Sequence, residues 1–338
     1  MKRVLIVGNP RETHVGRHFL RGAGQAGVEA SILDLAKAFE GPRLLRAAWW
    51  HLLGHRPLRL HPFSAEVIRR CDHDKPSLVL TTGLAPLSAN ALTQLRQRGI
   101  ATACFLTDDP WNPQHRAPWF MRALLEYDHV FTPRRANLPE LQALGRPRIH
   151  YLPFAYAPDV HHPPEPLSEN EATPWKSDVL FIGGADQERA SLMRDLKSAG
   201  LNLSLWGGYW SEMAGLESYA KGHAGPSEFR KLVAHAGVNV CLVRRANRDG
   251  HSMRSFEIPA VGGCMIVEDT PEHRAIFGPE DRAVRYFATT EELVDKSRVL
   301  LRNEEQQRRL AVAVGEHIRT GKNTYGDRLA SVLISTRN

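Results

Sequence analysis

The chain has 338 residues, 42% hydrophobic and 24% charged, a globular composition long enough for two domains of about 100 to 200 residues each. Its net charge of +7 is dispersed, with no run of five or more Lys/Arg, which leaves an anionic small molecule, a nucleic acid or a membrane surface as partners but no basic tail. Four cysteines without CxxC spacing (Cys71, Cys104, Cys241, Cys264) argue against a zinc or disulfide framework and for buried free thiols in a reducing compartment. The opening "MKRVLIVGNPRE" is too short in its apolar run for a signal-peptide core, and no later run reaches the ~18 residues of a membrane span, so the expectation is a cytoplasmic protein.

In chain order, "RVLIVG", "VEASILDL", "SLVLTTG", "ATACFLTD", "HVFTP" and "IHYLPF" read as apolar strands, most of them separated by helical segments. Apolar runs of this kind are what a parallel sheet covered on both faces requires. The loop of "IVGNPRETHVGR" carries His14 just after the first strand. Between the second and third strands, "RLLRAAWWHLLGHRPLRLH" interleaves Arg43, Arg46, Arg56 and Arg59 with Trp49 and Trp50. It predicts an amphipathic helix, either packing its Trp and Leu into the core or lying on a membrane or an acceptor through segment 43–60. "FLTDDPWNP" places Asp108 and Asp109 at the end of a buried strand, where adjacent acids before Pro serve either as cap residues or as carboxylates aimed at a ligand.

Residues 158–175 are rich in Pro, Glu and Asn and lack apolar periodicity, so they read as an exposed linker, with His161 and His162 solvated. A second series follows: "DVLFIGG", "LNLSLWGG", "GVNVCLV", "CMIVED" and "AVRYF" as strands, with helices between them and over the last 45 or so residues. No internal repeat stands out. The division expected is 1–157, a linker 158–175, 176–321, and a C-terminal helix 322–338 that packs back on the first domain.

The stretch "HSMRSFEIPAVGGCMIVED" carries the most chemistry. A helix starting near Ser252 offers free N–H groups and a positive dipole end suited to a diphosphate. Arg254 lies in its first turn and Glu257 on the same face three residues on, where a carboxylate accepts two hydrogen bonds from a vicinal diol. The plain alternative is an exposed ion pair worth a few tenths of a kcal/mol. Gly262 and Gly263 read as a helix C-cap. Gly183 and Gly184 mark either a tight turn or a place where backbone approaches a phosphate. In "LWGGYW", core packing by Trp206 and Trp210 is expected ahead of base stacking.

"FIGG", "MRSFEIPAVGGCMIVEDTPEHRAIFG" and "NTYGDRLASVL", with "FLTDDPW" in the first half, resemble GT-B glycosyltransferases, and among them the group similar to the spore-maturation protein CgeB. The resemblance is strongest over about Asp178 to Leu333. It implies an α/β fold of two Rossmann-like, doubly wound parallel-sheet domains facing across a cleft, and transfer of a sugar from a nucleoside-diphosphate donor to an unknown acceptor. It assigns Glu257 to the nucleotide ribose and puts Asp249, a shorter acid than the family's second glutamate, toward the sugar. Some inverting GT-B enzymes pair a histidine after the first strand with a later aspartate, parts that His14 and Asp108 or Asp109 would take. No cofactor and no metal are expected, because the acid pair falls in the domain opposite the phosphate site and Arg254 can neutralise the leaving group. Two other readings remain: a nucleotide-sugar epimerase or hydrolase on the same fold, and a non-catalytic surface-assembly or nucleic-acid-binding protein.

Overall fold

The computed structural model describes residues 2–336. The chain forms two compact units. Unit 1 takes the chain up to Pro153, the segment Arg245–Asp249 and the stretch from Thr324; unit 2 takes Phe154–Arg244 and Gly250–Asn323. Segment 158–175, expected as an exposed linker, is therefore part of unit 2. Val160, His161 and Ala172 are buried within it although most of its other residues are exposed, and Glu169–Ala172 forms a helical turn. The second departure from the expected division is the five-residue segment Arg245–Asp249, which lies with unit 1 although the strand before it belongs to unit 2.

Unit 1 is built on six parallel strands: β1 (Arg3–Gly8), β2 (Glu29–Asp34), β3 (Leu78–Thr82), β4 (Ala101–Phe105), β5 (His129–Thr132) and β6 (Arg148–Tyr151). Their order is β2-β1-β3-β4-β5-β6, with Val4 opposite Leu78 and Leu78 opposite Ala101. Val4, Leu5, Ile6 and Val7 are all buried, as a strand covered on both faces demands. Each such side chain contributes about 1.5–3 kcal/mol by leaving water. The helix Tyr325–Ser335 joins this unit by stacking Tyr325 on His18 at 5.2 Å and setting it edge-on to Phe19. A Cβ on Gly22 would stand 2.5 Å from the Gly326 nitrogen, so only glycine permits that approach.

Unit 2 has five parallel strands: β7 (Ser177–Ile182), β8 (Leu203–Trp206), β9 (Ala236–Cys241), β10 (Met265–Glu268) and β11 (Arg285–Phe287), ordered β11-β10-β9-β7-β8. In both sheets the chain adds one strand on one side of its starting strand and then continues on the other. The carboxyl ends of β1 and β3, and of β7 and β9, are therefore topological switch points, where open parallel sheets leave a crevice for ligands. All four cysteines are buried and free; burial pushes Cys71, Cys104 and Cys264 up to about 12. Among the described residues no helix is long and apolar enough to cross a membrane.

Candidate functional site

At the switch point of unit 2 the ends of β7 and β8 are bare of side chains. The Gly183 N–H donates to the Trp206 carbonyl at 2.8 Å and the Ala185 N–H to the Gly208 carbonyl at 2.9 Å, so two Gly-Gly pairs run side by side. The contact requires glycine at 207: its φ is +130°, and a Cβ there would lie 2.3 Å from the Gly183 oxygen. Gly184 differs, since a Cβ would meet nothing nearer than Arg244 Nη2 at 3.8 Å. Trp210 is buried beneath the loop, its indole N–H donating to the Gly183 carbonyl at 2.8 Å. Arg189 caps the two strand ends from below, donating to the carbonyls of Gly184 (2.9 Å) and Val243 (3.3 Å).

The helix Arg254–Val261 starts two residues after the position expected from the sequence, and Gly262 closes it in the left-handed region at φ 103°. Its entrance is tied internally. The Ser252 N–H donates to Ser255 Oγ at 3.1 Å, and Ser255 Oγ–H donates to His273 Nε2 at 2.8 Å. His273 Nδ1–H in turn donates to the Glu268 carbonyl at 2.7 Å, which fixes the neutral tautomer. Burial holds that imidazole down at about 4. The Ser252 amide is thus already engaged, as are those of Ser255, Phe256 and Glu257, whose N–H groups donate to the carbonyls of Ser252 and Met253.

Arg254 bridges this helix to β7. Its Nε–H donates to the Ile182 carbonyl at 3.1 Å, its Nη1 pairs with Glu257 Oε2, and its guanidinium lies 5.0 Å over the Phe229 ring. The Arg254–Glu257 pair is real, but it is no surface pair: the Glu257 side chain is only 1% exposed. Its second oxygen, Oε1, accepts no hydrogen bond and has the His161 Nε2 at 3.6 Å. His161 is buried rather than solvated. Its Nδ1 accepts the Ala157 N–H at 3.1 Å and its ring meets Phe229 edge-on at 5.6 Å. The apolar spacing of Ala157 and Val160 ahead of it was the available signal, masked by the prolines that follow. His162 is half-buried, its Nδ1–H donating to the Pro163 carbonyl at 2.8 Å.

Unit 1 carries the other candidates. The two adjacent aspartates after β4 have unlike surroundings. Asp109, 1% exposed, accepts from the Trp111 N–H (2.9 Å), Asn137 Nδ2 (3.0 Å), Arg248 Nε (2.6 Å) and Arg248 Nη2 (3.1 Å). Asp108 is half-buried and among the described residues accepts only from the Thr107 hydroxyl (3.0 Å) and Asn247 Nδ2 (3.3 Å). Asp249 was expected with the nucleotide groups; it lies in unit 1, its side chain 9% exposed and paired with Arg134 Nε. Arg134 also donates to the Thr107 carbonyl at 2.5 Å, so the Asp249 pair braces the same loop.

Sequence reading passed over a short echo here. Residues 134–137 and 244–247 are both Arg-Arg-Ala-Asn, following β5 and β9, and each asparagine is buried with its amide on one of the two aspartates. His14 is exposed after β1 at the unit 1 switch point, its Nε2 3.4 Å from Asn9 Nδ2. Loss of hydration and then the Arg11 charge hold its imidazole below the usual range. No hydrogen bond or ion pair links His14 to Asp108 or Asp109 among the described residues, so no coupled dyad is present in this conformation.

A profile of a family described as glycosyl transferase-like matches residues 189–334, which include Glu257, Arg254 and the helix around them. No curated protein sequence matches the chain. Among solved structures, sucrose-phosphate synthase from Thermosynechococcus elongatus aligns over 100% of this chain and 99% of its own at 11% identity and a TM-score of 0.72. HepE from Anabaena in complex with UDP aligns over 99% and 100% at 11% identity and a TM-score of 0.64. A UDP-GlcNAc 2-epimerase from Neisseria meningitidis bound to UDP-GlcNAc aligns over 99% and 100% at 10% identity and a TM-score of 0.52. At such identities the likeness concerns the fold, and that fold is GT-B: two doubly wound parallel sheets of six and five strands.

Proposed function

We propose that the chain is a glycosyltransferase of the CgeB-like group that moves a sugar from a nucleoside-diphosphate donor to an acceptor hydroxyl. The observation that carries the reading is the switch point of unit 2. There a loop free of side chains (Gly183, Gly184), a guanidinium beside it (Arg244) and a buried carboxylate whose Oε1 accepts no hydrogen bond and has His161 Nε2 at 3.6 Å (Glu257) come together, the last two inside the glycosyl transferase-like segment. Each suits one part of the donor. Glycines let backbone approach a diphosphate, guanidinium groups offset the charge that develops on it as the glycosidic bond breaks, and a carboxylate oxygen accepts from a ribose hydroxyl. HepE and the epimerase were both solved with uridine nucleotides, which supports a nucleotide sugar as the donor class here.

Arg254 holds the end of β7 through Ile182 and orients Glu257, so its part is to position the ribose acceptor. Charge on the departing diphosphate then falls chiefly to Arg244, with no metal in the scheme. On the acceptor side Asp108 is the better base, because its lone pairs are less used than those of Asp109. His14, neutral near pH 7, is the other group able to take a proton.

A screen of UDP-, GDP-, dTDP- and CDP-sugars for donor consumption tests the reading. Consumption that rises when an acceptor hydroxyl is supplied, and persists in EDTA, is the expected result. Release of an altered sugar with no acceptor would favour the epimerase or hydrolase alternative, and absence of turnover or binding with every donor would remove the enzymatic reading.

A further inference from the structure

The helix Arg43–Leu52 of unit 1 wears its apolar side outward. At 100° per residue, Leu44, Leu45, Ala48, Trp49 and Leu52 share one side, while Arg43, Arg46, Ala47, Trp50 and His51 share the other. The expectation that Trp and Leu would face the core is not met. Leu44 is 84% exposed, Leu52 80% and Leu45 48%, and Leu53 just past the helix is exposed, while Ala48 and Trp49 on the same side are half-buried and no residue of the helix is buried. The opposite side faces the body of the unit across a cavity of about 330 Å³, where Trp50 stacks on His55 at 4.6 Å and Arg56 joins the wall.

The charges around the stripe are of one sign. Arg43 and Arg46 are exposed and, like Arg56, make no ion pair among the described residues, and no Asp or Glu occurs between positions 41 and 65. A second copy of the chain seated symmetrically on this face would bring like charges together with no acid in the segment to answer them. An anionic lipid surface matches both features, taking leucines at the acyl boundary and arginines among headgroup phosphates.

We propose that this helix docks the protein on an anionic bilayer, with Leu44, Leu45, Leu52 and Leu53 entering the interface and Arg43 and Arg46 held at the phosphates. None of the residues assigned to the donor or to the acid cluster takes part, so the proposal stands or falls apart from the glycosyltransferase reading.

The test is sedimentation of the full chain with vesicles of phosphatidylglycerol and phosphatidylcholine, and with vesicles of phosphatidylcholine alone, at low and high salt. Binding to the anionic vesicles only, weakened by salt, is expected. The pairs Leu44→Ser with Leu52→Ser and Arg43→Ser with Arg46→Ser should each lower the partition coefficient by about tenfold or more with the melting midpoint unchanged. No binding to anionic vesicles, or equal binding to neutral ones, would overturn the proposal. An oligomer dissolved by Leu52→Ser would assign the face to a second copy, and a melting midpoint that falls with the leucine pair would assign it to the fold; either result also overturns it.

Discussion

The carboxyl ends of β4 in unit 1 and β7 in unit 2 carry the two short motifs that drew attention in the sequence, and they follow opposite building plans. After β4 the polar groups are crowded: Asp109 is held by Arg248, Asn137 and the Trp111 amide, and Arg134 ties Asp249 to the same loop. After β7 the loop has no side chains of its own, with two Gly-Gly pairs, space beside Gly184, and one buried carboxylate oxygen that accepts no hydrogen bond and has His161 Nε2 at 3.6 Å. A cluster whose donors and acceptors are matched is rigid and has little capacity for a substrate. A loop that keeps backbone exposed and one acceptor unmatched has that capacity. On the proposed function, the difference fits anchoring by most of the unit 1 cluster and ligand contact by the unit 2 loop, with Asp108 as the exception proposed for the chemistry.

That division is open to direct attack. The largest effect is expected at Asp108: Asp108→Asn should cut transfer by about 10² to 10⁴ while nucleotide affinity and the melting midpoint hold. Steady-state kinetics beside calorimetry would reveal the split, and an unchanged rate would return the base role to His14. Asp109→Asn, one residue away, should do the reverse. It sets a neutral amide where the buried carboxylate accepts from Asn137 and Arg248, at a cost of about 1–3 kcal/mol in urea unfolding, while Arg248 keeps its pair with Glu140 and nucleotide affinity stays intact. If both variants lose activity and neither loses stability, the distinction between the two acids is wrong.

Gly184→Val probes the open loop. Room exists for the new side chain, so the fold should tolerate it, whereas nucleotide affinity should fall about tenfold or more as the space beside Arg244 fills. Gly207→Val is the matching control. Its Cβ collides with the Gly183 oxygen, so the loss should appear as instability.

The most gradual effect is a pH dependence in unit 2. The site helix there is seated on His273, held at about 4 against an ordinary 6.5 because burial disfavours its charged form. The unfolded chain therefore binds the proton more readily, and stability is full above about pH 6.5 and lost as pH falls toward 4, with a slope of at most about 1.4 kcal/mol per pH unit. Denaturation curves of His273→Asn across that window should be flatter than those of the parent chain.

Much of this was legible in the sequence where the cause is local. Strands such as "DVLFIGG" announce themselves because burial on both faces demands a nearly unbroken apolar run, and Gly262 because a glycine between helix and strand suits a left-handed C-cap. What stayed hidden depends on distant partners. Arg248 meets Asp109 across 139 positions, so nothing in "RRANRDG" alone tells a solvated loop from a brace, nor that Asp249 packs with unit 1. His161 looked solvated because its burial is decided by Phe229 and Glu257, about 70 and 100 positions away in the chain. The helix Arg43–Leu52 had a legible pattern but no legible direction, since period 3.6 marks an apolar side without saying what covers it.

The central claim is that unit 2 holds a nucleoside diphosphate with Glu257 on its ribose. Isothermal calorimetry of the full chain with UDP, GDP, dTDP and CDP, repeated on Glu257→Gln with the unliganded melting midpoint recorded for both, tests it most directly. The account expects at least one nucleotide to bind, and the variant to bind it more weakly by about 1–3 kcal/mol, because an ionised carboxylate accepts a stronger hydrogen bond than an amide; the midpoint separates this loss from whatever the weakened Arg254 pair costs the fold. No binding of any nucleotide at millimolar concentration would contradict the claim, as would an equal affinity in the variant, which would leave Glu257 with its ion pair to Arg254 as its whole part.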